Sequence, residues 1–203
     1  VLGFDGDFPL NVYPWLALGE HRGVRHELIP RTERGWPDEA GLIARLTEPA
    51  VRAVSVSLTQ FSNGYTIDLD KISRECRKAG VTLIIDAIQA TGQVPVDVSK
   101  TPVDFLASGA QKWLLSPWGT GFLHVHPRWI NRVYPTFASW AAFRGTDDYT
   151  SLTSYNPEPW PDARRFELIT LPVQDFAAMN SSLDLILGVG IERVAEHVRE
   201  ISK

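Results

Sequence analysis

Short apolar runs alternate along the chain with stretches of helical spacing. Residues 51–58 read as a strand, and so do residues 81–85. Residues 104–107 form a short third run. Gly121–Val125 is a fourth, after the turn sequence Ser116-Pro117-Trp118-Gly119-Thr120. Residues 24–29 are a weaker candidate. Between two of these runs, Leu69, Ile72, Cys76 and Ala79 recur at spacings of three, four and three, which places one apolar stripe on a helix. Asp68 suits its N-cap and Gly80 its stop. Such β-α-β alternation predicts a parallel sheet covered by helices.

Residues 133–161 break the pattern. They are rich in Pro, Ser, Thr, Tyr and Trp and keep no steady period. A long irregular excursion in a compact domain usually serves a site or an interface. Helical spacing returns after Pro172, and Ile191, Val194, Val198 and Ile201 mark the last helix. Val1-Leu2-Gly3-Phe4 reads as a strand entered midway, and no stop signal precedes Lys203. The expectation is one domain over residues 1–203, cut at both ends.

Composition narrows the function classes. The chain is 44% hydrophobic and 22% charged, ordinary for a globular protein. Twenty basic residues stand against 24 acidic ones, for a net charge of −4, which makes no electrostatic case for nucleic acid. No apolar stretch is long enough to span a bilayer and no signal peptide opens the chain, so the expectation is a cytoplasmic protein without a membrane partner. The single cysteine, Cys76, excludes an internal disulfide framework and falls on the apolar helical stripe, so it reads as core. The seven tryptophans suit packing and interfaces. His21, His26, His124, His126 and His197 show no ligand spacing, and no metal site is expected.

The chemistry gathers at strand ends. Val81-Thr82-Leu83-Ile84-Ile85-Asp86 is nearly all apolar, as in a strand buried on both faces, and ends on a carboxylate. Ligands of open parallel sheets bind beyond such ends. A carboxylate there costs desolvation unless it meets a positive partner; a helix cap or a salt bridge is the plainer alternative. The next strand leads into Ser108-Gly109-Ala110-Gln111-Lys112-Trp113. The spacing from Asp86 to Lys112 is that of a crossover plus a strand, so both loops face one crevice. A lysine held there can be desolvated and poised as an amine nucleophile. Lysine and an acid together have a known use: pyridoxal 5'-phosphate (PLP) binds as a Schiff base to Lys, with an acid at its pyridine nitrogen.

Asp86-Ala87-Ile88-Gln89 followed by Ser108-Gly109-Ala110-Gln111-Lys112-Trp113 resembles the class V aminotransferase and cysteine desulfurase family of PLP-dependent enzymes, fold type I. The likeness extends to Asn11-Val12-Tyr13-Pro14-Trp15 and to Arg165-Phe166-Glu167-Leu168-Ile169-Thr170. The resemblance implies an α/β fold of three layers, a mostly parallel sheet flanked by helices. It also implies roles. Lys112 would carry the cofactor and shuttle the α-proton, and Asp86 would pair with the pyridinium. Gln89, and more loosely Gln60, would hydrogen-bond the phenolic oxygen. Ser108 would hold the phosphate, with Gln111 donating to it. Phe8 would stack on the ring and Ile88 touch its other face. Thr170 would reach across a homodimer to the partner's phosphate.

Three positions depart from the family pattern. Gln111 and Phe8 stand where histidine is common, and Ile169 where glycine is. Phe8 cannot move protons and Cys76 reads as core, so cysteine desulfuration is not expected from these residues. The expected function is a PLP-dependent enzyme acting on an amino acid or amine by transamination, elimination or epimerisation. The alternative is a non-catalytic relic of the fold serving binding or dimerisation; Lys112 and Asp86 argue for the enzyme. The resemblance also implies a further phosphate loop before Val1 and a small domain after Lys203. As given, the chain is therefore expected to be catalytically incomplete.

Overall fold

The computed structural model describes residues 1–202; Lys203, at the end of the expected last helix, lies outside them. Six strands form one sheet: β1 (Leu2–Phe4), β2 (Glu27–Ile29), β3 (Ala53–Ser57), β4 (Thr82–Asp86), β5 (Phe105–Gly109) and β6 (Gly121–Val125). Their spatial order is β2-β1-β3-β4-β5-β6. Neighbours pair in parallel except β5 and β6, which are antiparallel. The helices are α1 (Tyr13–Arg22), α2 (Glu39–Arg45), α3 (Leu69–Ala79), α4 (Pro127–Ile130), α5 (Val173–Val189) and α6 (Ile191–Ile201).

The expected helix after β3 is present and capped as its sequence suggests. The Asp68 side chain accepts a hydrogen bond from Lys71 N at 2.9 Å, and Gly80 closes the helix with φ of 69°. Its stripe of Ile72 and Cys76 packs onto one face of the sheet. On that face Leu2, Phe4, Val54, Val56, Leu83, Ile85 and Leu106 join Leu42 and Leu46 near α2 in a single core. Alternation along the strands sends the intervening residues to the other face.

Two expectations shift. β4 is not equally buried on both sides: Leu83 and Ile85 are buried, whereas Thr82, Ile84 and Asp86 are half-buried. The less covered face is the one on which Asp86 lies. The third strand also runs past residue 107, so Ser108 and Gly109 belong to the sheet rather than to the loop. The antiparallel partner extends it, through Ser108↔Phe122 and Gly109↔Gly121. A Cβ on Gly121 would meet the Ser108 carbonyl, so glycine permits this pairing.

Residues 133–161 form no sheet strand. They hold two 3-10 turns, Trp140–Ala142 and Leu152–Ser154, and an isolated bridge between Phe143 and Pro159. The Trp160 indole closes the excursion on the Ala141 carbonyl at 3.1 Å.

Cys76 is 1% exposed, and burial, with the Asp104 carboxylate next in effect, pushes its thiol up to about 12. A thiolate is the reactive species. Cys76 should therefore resist an aromatic disulfide reagent in the native chain and react in full once denaturant is added. Rapid native labelling would contradict this packing.

Candidate active site

The parallel register aligns the ends of three strands. Ser57 pairs with Asp86, and Asp86 pairs with Ala107. One row on the less covered face therefore carries a hydroxyl, a carboxylate and a methyl group. The Asp86 carboxylate accepts from Ile88 N at 2.9 Å through one oxygen and from Asn11 Nδ2 at 3.1 Å through the other. Burial pushes Asp86 above the ordinary carboxylate range. The bonds from Ile88 and Asn11 pull it back, the Asp7 carboxylate raises it, and Lys112 lowers it. Lys112 is thus within electrostatic reach of Asp86. Its Nζ stands 5.7 Å from the centre of the Phe8 ring, which meets Phe61 edge-on at 5.3 Å.

The loop bearing Lys112 is fixed from several sides. Ala110 N bonds to the Thr120 carbonyl and Ser116 N returns to the Ala110 carbonyl, each at 3.0 Å. Leu115 takes a left-handed conformation with φ of 53°, and its carbonyl accepts from Ser182 Oγ of α5 at 2.9 Å. Ala110 and Leu114 pack on Met179 and Ile186 of α5, a second and smaller core. On the other flank Gly92, with φ of 99°, lies directly on the Trp113 backbone. Segments after β4 and β5 are therefore locked together.

Other candidate residues lie in the segments that follow β3, β4 and β5. Gln60 is 3% exposed, in a tight loop where its N bonds the Tyr65 carbonyl at 2.8 Å and its carbonyl accepts from Gly64 N at 2.9 Å. Its Nε2 is buried without a partner. A buried donor left unmet is costly, so this amide is open to an acceptor from water or a ligand. Ile88 Cδ1 and the Gln111 amide both lie against Gly109, in the space a Cβ there would fill. Gln89 is half-buried, and its carbonyl accepts from Gln93 Nε2 at 2.7 Å.

Two residues stand apart. Ser108 points to the α3 side of the sheet, opposite Asp86. Its hydroxyl is 2.5 Å from Thr91 Oγ1 and donates to the Gly109 carbonyl at 3.1 Å. Thr170 is exposed, beside Ile169 at 63% exposure.

The sequence reading missed Asp7 and Ser57. Asp7 is 8% exposed and bonds to Phe8 N, Ser57 N, Ser57 Oγ and Asn11 Nδ2. The available signal was the quoted segment from Asn11 to Trp15, whose first residue proves to be an Asp86 ligand. Among the described residues, no three His, Cys, Asp or Glu side chains gather to hold a metal. Among the same residues, no helix is long and apolar enough to cross a membrane.

A mostly parallel α/β sheet with a lysine loop, a half-buried acid and an aromatic ring at its strand ends places the chain in the class of open α/β domains that bind ligands at that edge. Comparison with known proteins gives the family. The class-V aminotransferase family matches residues 7–203, and the chain belongs to that family. A probable cysteine desulfurase of Methanothermobacter thermautotrophicus is 31% identical over 92% of this chain and 45% of its own length. An isopenicillin N epimerase of Amycolatopsis lactamdurans is 29% identical over 100% of this chain and 52% of its own. The chain thus spans about half the length of the curated relatives it matches. Among solved structures, the cystine C-S lyase C-DES with cysteine persulfide superposes with a TM-score of 0.81 at 25% identity, over 93% of this chain and 50% of that one. The fold of the apo cysteine desulfurase from Thermococcus onnurineus gives 0.82 at 19%, over 96% and 47%. The structure is therefore the fold type I architecture, with its mostly parallel six-stranded sheet.

The contact between Gly92 and Trp113 yields a test. A Cβ at residue 92 would strike the Trp113 carbonyl, and the positive φ strains any other residue. Gly92→Ala should cost more than about 1 kcal/mol in chemical denaturation. A variant as stable as the parent would show that the two loops are not locked.

Proposed function

We propose that this chain is the cofactor-holding part of a PLP-dependent enzyme acting on an amino acid or amine. The observation carrying this reading is the Asp86 carboxylate, half-buried at a strand end within electrostatic reach of Lys112, whose amine faces the Phe8 ring. The residues present fit the cofactor. The unpartnered Gln60 amide offers a donor for its phenolic oxygen, and the Gln89 side chain, after β4, would offer a second. Asp86 offers an acceptor for a protonated ring nitrogen, and Lys112 an amine for the aldehyde.

When bound, PLP supplies an electron sink for the bond broken at the carbon bearing the substrate's amino group. The chain's own groups do the rest. Asp86, when ionised, would keep the proton on the ring nitrogen by accepting its hydrogen bond and balancing its positive charge. Lys112 Nζ would hold the cofactor and would take or return the proton at that carbon. Phe8 would stack on one face of the ring without exchanging protons, and Ile88 would limit the other. The Gln111 amide would donate to the phosphate; Ser108 would do so only by releasing its own contacts. Thr170, exposed in this chain, would reach the phosphate of a second subunit in a two-fold dimer.

Matched relatives bear the names of desulfurases, epimerases and aminotransferases. The groups above serve the bond-breaking these reactions share. Desulfuration also needs a thiolate to accept sulfur, and among the residues of this chain Cys76, buried with a raised pKa, does not supply one. Transfer, elimination or epimerisation is the proposed chemistry.

Borohydride reduction of the chain in excess PLP, followed by peptide mapping, should place the adduct on Lys112. An adduct on Lys71, Lys78 or Lys100 instead would sink the assignment. In the assembled enzyme, Asp86→Asn should lower turnover on the order of a hundredfold or more while changing PLP affinity far less. The same substitution sets an amide nitrogen toward either Asn11 or Ile88, both donors, so a stability loss of about 1–3 kcal/mol should accompany it. Full turnover in the variant would move the electron-sink role elsewhere.

A further inference from the structure

Asp86 does not hold its position alone. The loop after β1 carries a 3-10 turn, Pro9–Asn11, whose last residue points its amide at three acceptors. Asn11 Nδ2 lies 3.1 Å from Asp86 Oδ2, 2.9 Å from Ser57 Oγ and 3.1 Å from Asp7 Oδ1. Behind them Asp7 accepts from Phe8 N at 2.7 Å, Ser57 N at 2.9 Å and Ser57 Oγ at 2.6 Å. We infer that Asn11 is a positioning residue for Asp86, held in that role by Asp7 through the Ser57 hydroxyl. This rests on the proposed reading of Asp86 as the partner of the cofactor's ring nitrogen.

The direction of each bond follows from the chemistry of the groups. A carboxylate only accepts, so the Ser57 hydroxyl must spend its one proton on Asp7. The Ser57 oxygen is then left to accept, and the neighbour that can donate is Asn11. Turning the Asn11 amide over would set its oxygen against Asp7, Ser57 and Asp86, all acceptors there. The amide is therefore fixed with nitrogen inward, and its second proton is aimed at Asp86 Oδ2. Asp7 thus decides, two bonds away, which group faces the catalytic carboxylate. It also ties down Phe8 N, and so the aromatic ring facing Lys112.

The effect on Asp86 has a definite sign. Burial favours its neutral form; the bonds from Asn11 and Ile88 favour the charged form. The charged groups acting on Asp86 are the Asp7 carboxylate, from the loop after β1, and the Lys112 ammonium, from the loop after β5. Without Asn11, burial meets less opposition, and the carboxylate needed opposite a pyridinium becomes harder to keep ionised.

The test reads the ligand-free chain. The Asp86 carboxyl carbon is followed by NMR against pH in the parent and in Asn11→Ala. The midpoint should rise in the variant. An unchanged midpoint in a folded variant overturns the inference, since a merely structural role would not move it. If Asn11→Ala does not fold, the parent supplies the answer. The Asn11 side-chain amide protons should titrate with the midpoint of the Asp86 carboxyl carbon, and failure to track it overturns the inference. The functional reading stands or falls separately, on the Lys112 adduct.

Discussion

A carboxylate at the end of a buried strand is expensive, and much of this domain answers that expense. Asp86 sits in the second central strand, with neighbours paired on both sides. Removing such a group from water without partners would disfavour its charge by several kcal/mol. Two hydrogen bonds and a nearby ammonium offset part of the cost, and the carboxyl still stays above its ordinary range. In the proposed function a positive ring nitrogen would meet the remainder, and a site kept short of full satisfaction before its ligand arrives is preorganised in that sense.

The supports converge from separate parts of the sequence. The loop after β1 brings Asp7, Phe8 and Asn11; β3 brings Ser57; the loop after β4 brings Ile88; the turn after β5 brings Lys112. Parallel pairing is what places four such segments at one edge of the sheet. The two cores divide the labour. The larger, between the sheet and α2 and α3, fixes the strands and hence the row of Ser57, Asp86 and Ala107. The smaller, on α5, fixes the turn that presents Lys112.

The strands of the central sheet were legible because their apolar runs are long and sharply bounded. Helix α3 was legible because Asp68, its stripe and Gly80 agree. Residues 108–109 were misread as loop because a serine and a glycine carry little strand signal; pairing with Gly121 decides the matter. The positions of Asp86, closing β4, and of Lys112, beyond β5, were readable from the apolar runs before them. Asp7 and Ser57 were not. A lone acid after a short strand looks like any turn residue, and an apolar run absorbs a serine without comment. Only the register that sets Ser57 beside Asp86, and the return of residues 7–11 over both, gives them a use.

The central claim is that Asp86 keeps a proton on the cofactor's ring nitrogen. The direct measurement is the nitrogen NMR shift of ring-labelled PLP bound to the assembled enzyme, parent against Asp86→Asn. A protonated nitrogen at neutral pH in the parent, and an unprotonated one in the variant, is the predicted result. An unprotonated ring in the parent, or no difference between the two, would contradict the account.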